Sequence, residues 1–291
     1  MSDCSLLHTG YNSDNLYTWC TNCGNYGIHG SLKTALAEQD LLPHEVVLCF
    51  DIGCHGNGAD KIHANTVHGL HGRVIPFAVG IQLANRKLKV VASGGDGATL
   101  GEGINHFIHA IRSDYDITFL LHNNSNYGLT TGQASPTTTE GVPMNSSPDG
   151  VSATPIHVLD LVFSLKPTFV ARTFSGDIKQ MTRVIKAGMK HKGFSVIEIL
   201  QHCPTYNKAT PHEWYRERVF DVNKIMNYDT SDIGNAQRVS KDITDKIATG
   251  VIYQRESTDF YLKQLNRKDR TTELVEEVNS YPVDDLYRRF I

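Results

Sequence analysis

The sequence predicts an α/β fold, a doubly wound and mainly parallel sheet with covering helices, and three observations carry that prediction. Short runs rich in β-branched and apolar residues recur along the chain up to Cys203. Between them lie stretches with the length and apolar spacing of helices. The order strand, helix, strand repeats throughout, which is the pattern of a parallel sheet joined by helical crossovers. A chain of 291 residues can bury the core that such a sheet needs.

In chain order, Gly30 to Leu42 reads as a helix and Val46 to Ile52, an almost unbroken apolar run, as a buried strand. Val74 to Ala84 is helical, Lys89 to Ser93 a strand, Gly103 to Ser113 helical and Ile117 to Leu121 a strand. His157 to Leu165 is helical, Thr168 to Thr173 a strand, Asp177 to Lys192 a helix with Asp177 as its N-cap, and Phe194 to Leu200 a strand. Two stretches break the rhythm. Gly128 to Pro155, rich in Thr, Ser, Gly and Pro, is long for a connection and follows a strand end, where such loops work at sites. Everything after Cys203 is polar and charged, with helices expected near Asp242 to Ala248 and Thr271 to Val278. The division expected is a domain over 1–204 and an extension over 205–291 that packs on that domain or on a partner.

Lys plus Arg is 28 against 31 for Asp plus Glu, a formal charge of −3, so nothing argues for a nucleic-acid or anionic-membrane partner. No apolar run approaches the roughly 18 residues that span a bilayer. Met1 to Asn15 shows no basic segment followed by an apolar one, so the cytoplasm is the expected compartment. Six cysteines there point to metal or redox work rather than structural disulfides.

Lys89 to Gly101 runs an apolar strand into a glycine turn and then a helix, a place where backbone N–H groups can meet phosphate. A bland tight turn reads equally well, and no Gly-Lys-Ser/Thr follows to make a P-loop. Gly95, Gly97 and Gly101 fit a loose dinucleotide spacing with Asp114 or Asp116 as the ribose acid. That acid belongs at the carboxyl end of the next strand, however, and there stand His122-Asn123-Asn124. Asp96 and Asn124, at two strand ends, can place a carboxylate and an amide oxygen on one Mg²⁺ whose remaining positions take diphosphate oxygens and water.

Gly95-Asp96-Gly97 followed by Asn123-Asn124 is similar to the thiamine-diphosphate signature. The continuation Asn123-Asn124-Ser125-Asn126-Tyr127-Gly128-Leu129-Thr130-Thr131-Gly132-Gln133-Ala134-Ser135-Pro136-Thr137, together with Leu70-His71-Gly72-Arg73, resembles the β subunit of 2-oxoacid:ferredoxin oxidoreductases. The likeness covers roughly Tyr17 to Asn207. It implies a sheet of the thiamine-diphosphate-binding type with a C-terminal extension, and Mg²⁺ held by Asp96, Asn124 and the carbonyl of Asn126. It also implies that Ile52, Gly53, Cys54 and His55, Gly95, Asp96, Gly97 and Ala98, and Asn124, Asn126, Tyr127, Gly128, Leu129 and Thr130 surround the cofactor. His71 and Arg73 are the catalytic nominees, since a histidine can shuttle protons and a guanidinium can grip a carboxylate. The chain departs from many relatives in carrying His55 after Cys54 and Ala98 after Gly97.

Trp19-Cys20-Thr21-Asn22-Cys23-Gly24 admits three readings. A redox dithiol should follow a buried strand, and Tyr11 to Thr18 is polar. Structural zinc would usually bring a compact second ligand pair, and the other cysteines stand singly. An iron–sulfur cluster can take thiolates from distant loops. Cys54 and Cys203 both follow strand ends, whereas Cys49 lies in an apolar run and Cys4 in the terminus. The family pattern implies one [4Fe–4S] cluster on Cys20, Cys23, Cys54 and Cys203.

The activity implied is oxidative decarboxylation of a 2-oxo acid to an acyl-CoA and CO₂, with electrons passing through the cluster to ferredoxin. Asp51 to Lys61 looks most like the 2-oxoglutarate-using branch, pyruvate being the alternative, and Lys61, His55 and Arg73 are the groups that could meet a distal carboxylate. The partners implied are an α subunit with the pyrimidine-binding half and its activating glutamate, in an (αβ)₂ assembly, together with ferredoxin, coenzyme A and the 2-oxo acid. A reading from another class, a non-catalytic electron-transfer or metal-stabilised protein using the Cys frame alone, leaves the Asp96 and Asn124 spacing unexplained.

Overall fold

Each central strand carries apolar side chains on both faces, so each needs helices on both sides. The computed structural model describes residues 10–241, 243–257, 270–277 and 283–290, so Cys4, Asp242 and Val278 lie outside them. Eight strands form the sheet: β1 (Val46–Phe50), β2 (Asn65–His68), β3 (Lys89–Gly95), β4 (Ile117–Asn123), β5 (Phe169–Phe174), β6 (Phe194–Leu200), β7 (Val219–Asp221) and β8 (Ile247–Gln254). Their order is β2-β1-β3-β4-β6-β5-β8-β7. All neighbours are parallel except β5 and β8. The helices that cover the sheet are α1 (Gly24–Ala37), α2 (Val74–Ala84), α3 (Ile104–Ser113), α4 (Val158–Ser164) and α5 (Ile178–Lys190).

Strand alternation divides the core in two. Val47, Cys49, Val90, Ala92, Phe119 and Leu121 face a layer built on α2, α3 and α4, while Val46, Leu48, Phe50, Val91 and Leu120 face Leu32 and Leu36 of α1 and Val184 and Ile185 of α5. Cys49 is fully buried in the first layer, where burial pushes its thiol up to about 12. Asp177 caps α5, its carboxylate accepting from the Gln180 N–H at 3.0 Å. No helix among the described residues is long and apolar enough to cross a membrane.

Three of the predicted elements differ from expectation, and strands β2 and β7 were not predicted. Helix α1 starts earlier than predicted, at Gly24, with Cys23 at the N-cap position in extended backbone and no side-chain cap. Instead of a helix over Asp242 to Ala248, Ile247–Gln254 is a strand, where β-branched residues pair antiparallel with β5 and Gly250 takes φ +103. The expected helix near Thr271 shrinks to one turn, Leu274–Glu276, beside Glu273, which pairs with Arg86 at 3.1 Å. Strands β7 and β8 thus bring residues beyond 204 into the same sheet.

The sheet order also places a site. After β1 the chain moves outward to β2 and then returns to the other side of β1 as β3, leaving a crevice at the carboxyl ends of β1 and β3. The ends of β1, β3, β4 and β6 stand side by side there. Asp114 sits at the opposite edge, accepting from the Phe194 N–H and the Thr168 hydroxyl. Beneath the crevice, Arg172 and Glu198 face one another on β5 and β6 as a buried ion pair at 2.7 Å. Glu198 also accepts from the Asn123 amide at 2.8 Å. Arg172→Ala strands a buried carboxylate and is expected to cost about 3–5 kcal/mol in urea unfolding. A loss under about 1 kcal/mol would show that water relieves the charge.

Candidate functional site

The crevice is built on Asp51, the residue that follows β1. Its fully buried carboxylate accepts the backbone N–H groups of Ile52 at 2.7 Å, Gly72 at 2.9 Å and Val74 at 3.4 Å. Burial raises its pKa, and these hydrogen bonds with the neighbouring His71 oppose the rise. One side chain therefore anchors both the loop that carries Cys54 and the loop that carries His71.

Two cavities open in the crevice. The first, about 190 Å³, is lined by Ile52, Gly53, Cys54, His55, His71, Gly95, Asp96, Gly97, Ala98, Asn124, Asn126, Tyr127, Gly128, Leu129 and Thr130. Strand β3 ends in its floor, and the chain leaves through a wide π-helical turn, Ala98–Glu102, before α3 begins. The Tyr127 ring closes over that turn so tightly that a Cβ on Gly97 would lie 2.4 Å from it. Burial, followed by the charges of Glu102 and Asp96, pushes the Tyr127 phenol up to about 12.

Asp96 is 1 % exposed. Its Oδ2 accepts from the Ser135 hydroxyl at 2.5 Å and the Thr137 hydroxyl at 2.6 Å, both from the long Gly128 to Pro155 loop. Burial raises its pKa against those hydrogen bonds. The Asn124 side-chain oxygen accepts from the Asn126 N–H at 3.1 Å, and the Asn124 carbonyl from the Asn126 and Asn207 amides. Two buried polar atoms that line this cavity lack a partner: His55 Nε2 and Asn126 Oδ1. Orphaned donors and acceptors around one cavity, with a buried carboxylate, fit a polar ligand carrying a cation.

The second cavity, about 200 Å³, is lined by Cys20, Cys23, Cys54 and Cys203 with Trp19, Asn57, Gln201 and Tyr206 among others. Cys20 and Cys23 are brought together by a tight turn with Asn22 at φ +62, and the Trp19 indole donates to the Cys54 carbonyl at 2.5 Å. Burial first, then neighbouring cysteine charges, pushes the Cys54 thiol up to about 12, and burial raises Cys23 as well. Cys54, Asn124, Gly128 and Leu129 line both cavities. Among the described residues no three His, Cys, Asp or Glu side chains gather closely enough to hold one metal ion.

The histidines divide by environment. The His55 ring lies 4.9 Å from that of His122; burial holds His55 well below its usual range and His122 at about 4, so both are neutral near pH 7. His71 is half-exposed at the cavity mouth, its Nδ1 3.6 Å from Glu102. Arg73 stands behind the loop, donating to the carbonyls of Gly72 at 3.1 Å and Glu102 at 2.8 Å. Lys61 pairs with Asp60 at 2.7 Å and lines neither cavity. Sequence reasoning did not single out Asp51 or Glu102, because each acts on a loop distant in the chain. Ser135 and Thr137 lay inside the quoted motif without a role.

Comparisons with known proteins bear on this geometry. The family described as "Thiamine pyrophosphate enzyme, C-terminal TPP binding domain" matches residues 51–199, and the family of the C-terminal part of the pyruvate ferredoxin oxidoreductase β chain matches 203–269. The chain is 39% identical over 258 residues to the 2-oxoacid:ferredoxin oxidoreductase subunit beta of Saccharolobus solfataricus, covering 85% of each chain. It is 37% identical over 193 residues to the 2-oxoglutarate synthase subunit KorB of Archaeoglobus fulgidus, covering 66% of this chain and 72% of that one. It superposes with a TM-score of 0.86 and 30% identity on the 2-oxoglutarate:ferredoxin oxidoreductase from Magnetococcus marinus, solved with 2-oxoglutarate, coenzyme A and succinyl-CoA bound, over 97% of this chain and 95% of that one. A diphosphate-type crevice, a thiol-lined cavity beside it and relatives matched along most of their length lead to one conclusion: the chain belongs to the β subunits of the 2-oxoacid:ferredoxin oxidoreductases.

Proposed function

We propose that this subunit holds thiamine diphosphate, Mg²⁺ and one [4Fe–4S] cluster, and that with an α partner it oxidises 2-oxoglutarate in the cytoplasm, passing the acyl group to coenzyme A and electrons to ferredoxin. The observation that carries this reading is the shared wall, Cys54, Asn124, Gly128 and Leu129, between the polar cavity and the thiol cavity. Bound side by side, the thiamine would supply the nucleophilic carbon and the electron sink for decarboxylation, and the cluster a one-electron acceptor.

The chain's own residues divide the work. Asp96, the Asn124 side chain and the Asn126 carbonyl hold the cation, hard oxygen donors of which one is charged. The backbone N–H groups of the glycine turn Gly95 to Gly97 meet diphosphate oxygens. His71 moves a proton at the cavity mouth. Cys20, Cys23, Cys54 and Cys203 ring a void instead of converging on a point, which suits a cluster whose irons each take one thiolate better than a single zinc. Arg73 acts by fixing the His71 loop to the Ala98–Glu102 turn. Support for 2-oxoglutarate comes from the relatives, since Lys61 and Arg73 are already engaged and His55 is neutral. The match to a pyruvate oxidoreductase family keeps pyruvate as the second reading.

The isolated chain is expected to show no turnover, because among the described residues no glutamate lines the polar cavity to activate the cofactor. Co-expressed with its α partner in an (αβ)₂ assembly, it is expected to reduce viologen with coenzyme A and 2-oxoglutarate at a higher kcat/KM than with pyruvate. Preference for pyruvate would overturn the substrate, and full activity of the isolated chain the need for an α partner.

A further inference from the structure

Glu102 belongs to none of the motifs read from the sequence, yet three parts of the crevice meet at it. Its Oε2 lies 3.6 Å from His71 Nδ1, and its Oε1 takes the Tyr127 hydroxyl at 3.5 Å. The backbone enforces the approach to His71. Arg73 donates to the Glu102 carbonyl at 2.8 Å, and Asp51 holds the Gly72 N–H from the other side at 2.9 Å. Gly72, at φ +70, packs so closely that a Cβ there would lie 2.8 Å from the Glu102 Cβ, and one on Gly103 would lie 2.7 Å from the Gly72 carbonyl. The His71 loop and the end of the π-helical turn are therefore locked together, and the 3.6 Å between the two side chains is just beyond hydrogen-bond length, a gap of the kind that tightens when a ligand binds.

We propose that Glu102 is a positioning residue that fixes the proton of His71 on Nδ1, so that a ligand in the polar cavity meets Nε2 as an acceptor. A carboxylate on one imidazole nitrogen sets the tautomer and orientation that the other presents. The proposal rests on the reading of His71 as a proton-moving group, and it adds the element that decides which nitrogen does so.

The test uses the full-length chain labelled with ¹⁵N at histidine, with His71 assigned by its disappearance in His71→Gln. At about pH 8, where an ordinary imidazole is neutral, His71 is expected to show the Nδ1–H tautomer, and Glu102→Ala to switch it to Nε2–H. In the α-partnered enzyme Glu102→Ala is expected to lower kcat about 10–100-fold with KM little changed, while thiamine diphosphate content stays at the wild-type level. Glu102→Met keeps the bulk without the acceptor and is expected to give the same switch should the alanine variant fold poorly. An Nε2–H tautomer in the wild type, or a spectrum unchanged in both variants, overturns the proposal. Loss of activity in His71→Ala with unchanged Glu102 spectra overturns the role of Glu102 alone. Full activity of His71→Ala with the tautomer switch present supports the positioning contact and overturns the catalytic reading of His71.

Discussion

Asp96→Ala is expected to leave the protein without thiamine diphosphate while its iron content stays unchanged. Asp96 is the single charged donor of the proposed cation shell, and its carboxylate is 1 % exposed, so no water-exposed acid stands ready to replace it. A charged contact made away from water is worth about 3 kcal/mol, or roughly a hundredfold in affinity, and the cation's strict octahedral demands leave little room for adjustment. Alanine also removes the acceptor to which the Ser135 and Thr137 hydroxyls now donate, leaving Thr137 the Asn123 side-chain oxygen at 2.9 Å. Asp96→Asn separates the two effects in part, because an amide keeps the volume and one accepting oxygen for the Ser135 and Thr137 hydroxyls, while the charge is lost and the other oxygen becomes an NH₂ donor. Both variants are expected to fail to retain cofactor in Mg²⁺ titrations followed by thiamine analysis. Wild-type occupancy in Asp96→Asn would refute the cation assignment. Iron should be unaffected, since Asp96 lines the polar cavity and not the thiol cavity.

Cys54→Ser is expected to remove the cluster and weaken thiamine diphosphate binding together, whereas Cys20→Ser removes the cluster alone. Cys54 stands in the wall between the cavities, and Cys20 lines only the second. Four thiolates gathered around one small void repel one another, and irons that each take one thiolate offset that repulsion. A serine hydroxyl is far harder to ionise in the same wall and is a poor substitute. Iron, sulfide and thiamine measured on anaerobically purified variants decide the matter. Stoichiometric zinc without sulfide in the wild type would refute the cluster. Full thiamine content in Cys54→Ser would show that the two cavities are independent.

The strands of the middle of the sheet were legible because they are buried on both faces. Val46–Phe50, Ile117–Asn123 and Phe194–Leu200 are apolar almost without interruption, and such short apolar runs bounded by polar turns suit a strand with helices on both sides. Strand β2 was not legible: Asn65-Thr66-Val67-His68 lies at the sheet edge, largely exposed, and its pairing with β1 leaves no trace in hydropathy. Strand β8 carried a misleading polar approach, and its assignment came from an antiparallel partner, β5, distant in sequence.

The sequence by itself pointed to the residues proposed for the site, because their motifs are local: Cys54, Asp96, Asn124 and Cys203 each follow a strand within a few residues, and Cys20 and Cys23 share one turn before α1. Only the tertiary structure decided how those segments meet. It placed Cys54 in both cavities, engaged Arg73 and Lys61 elsewhere, and set Asp51 and Glu102 against the His71 loop. The physical reason is the register of parallel strands. Spacing along a chain fixes which residues follow a strand, whereas the lateral order of β1, β3, β4 and β6, set by packing of both sheet faces, fixes which strand ends become neighbours.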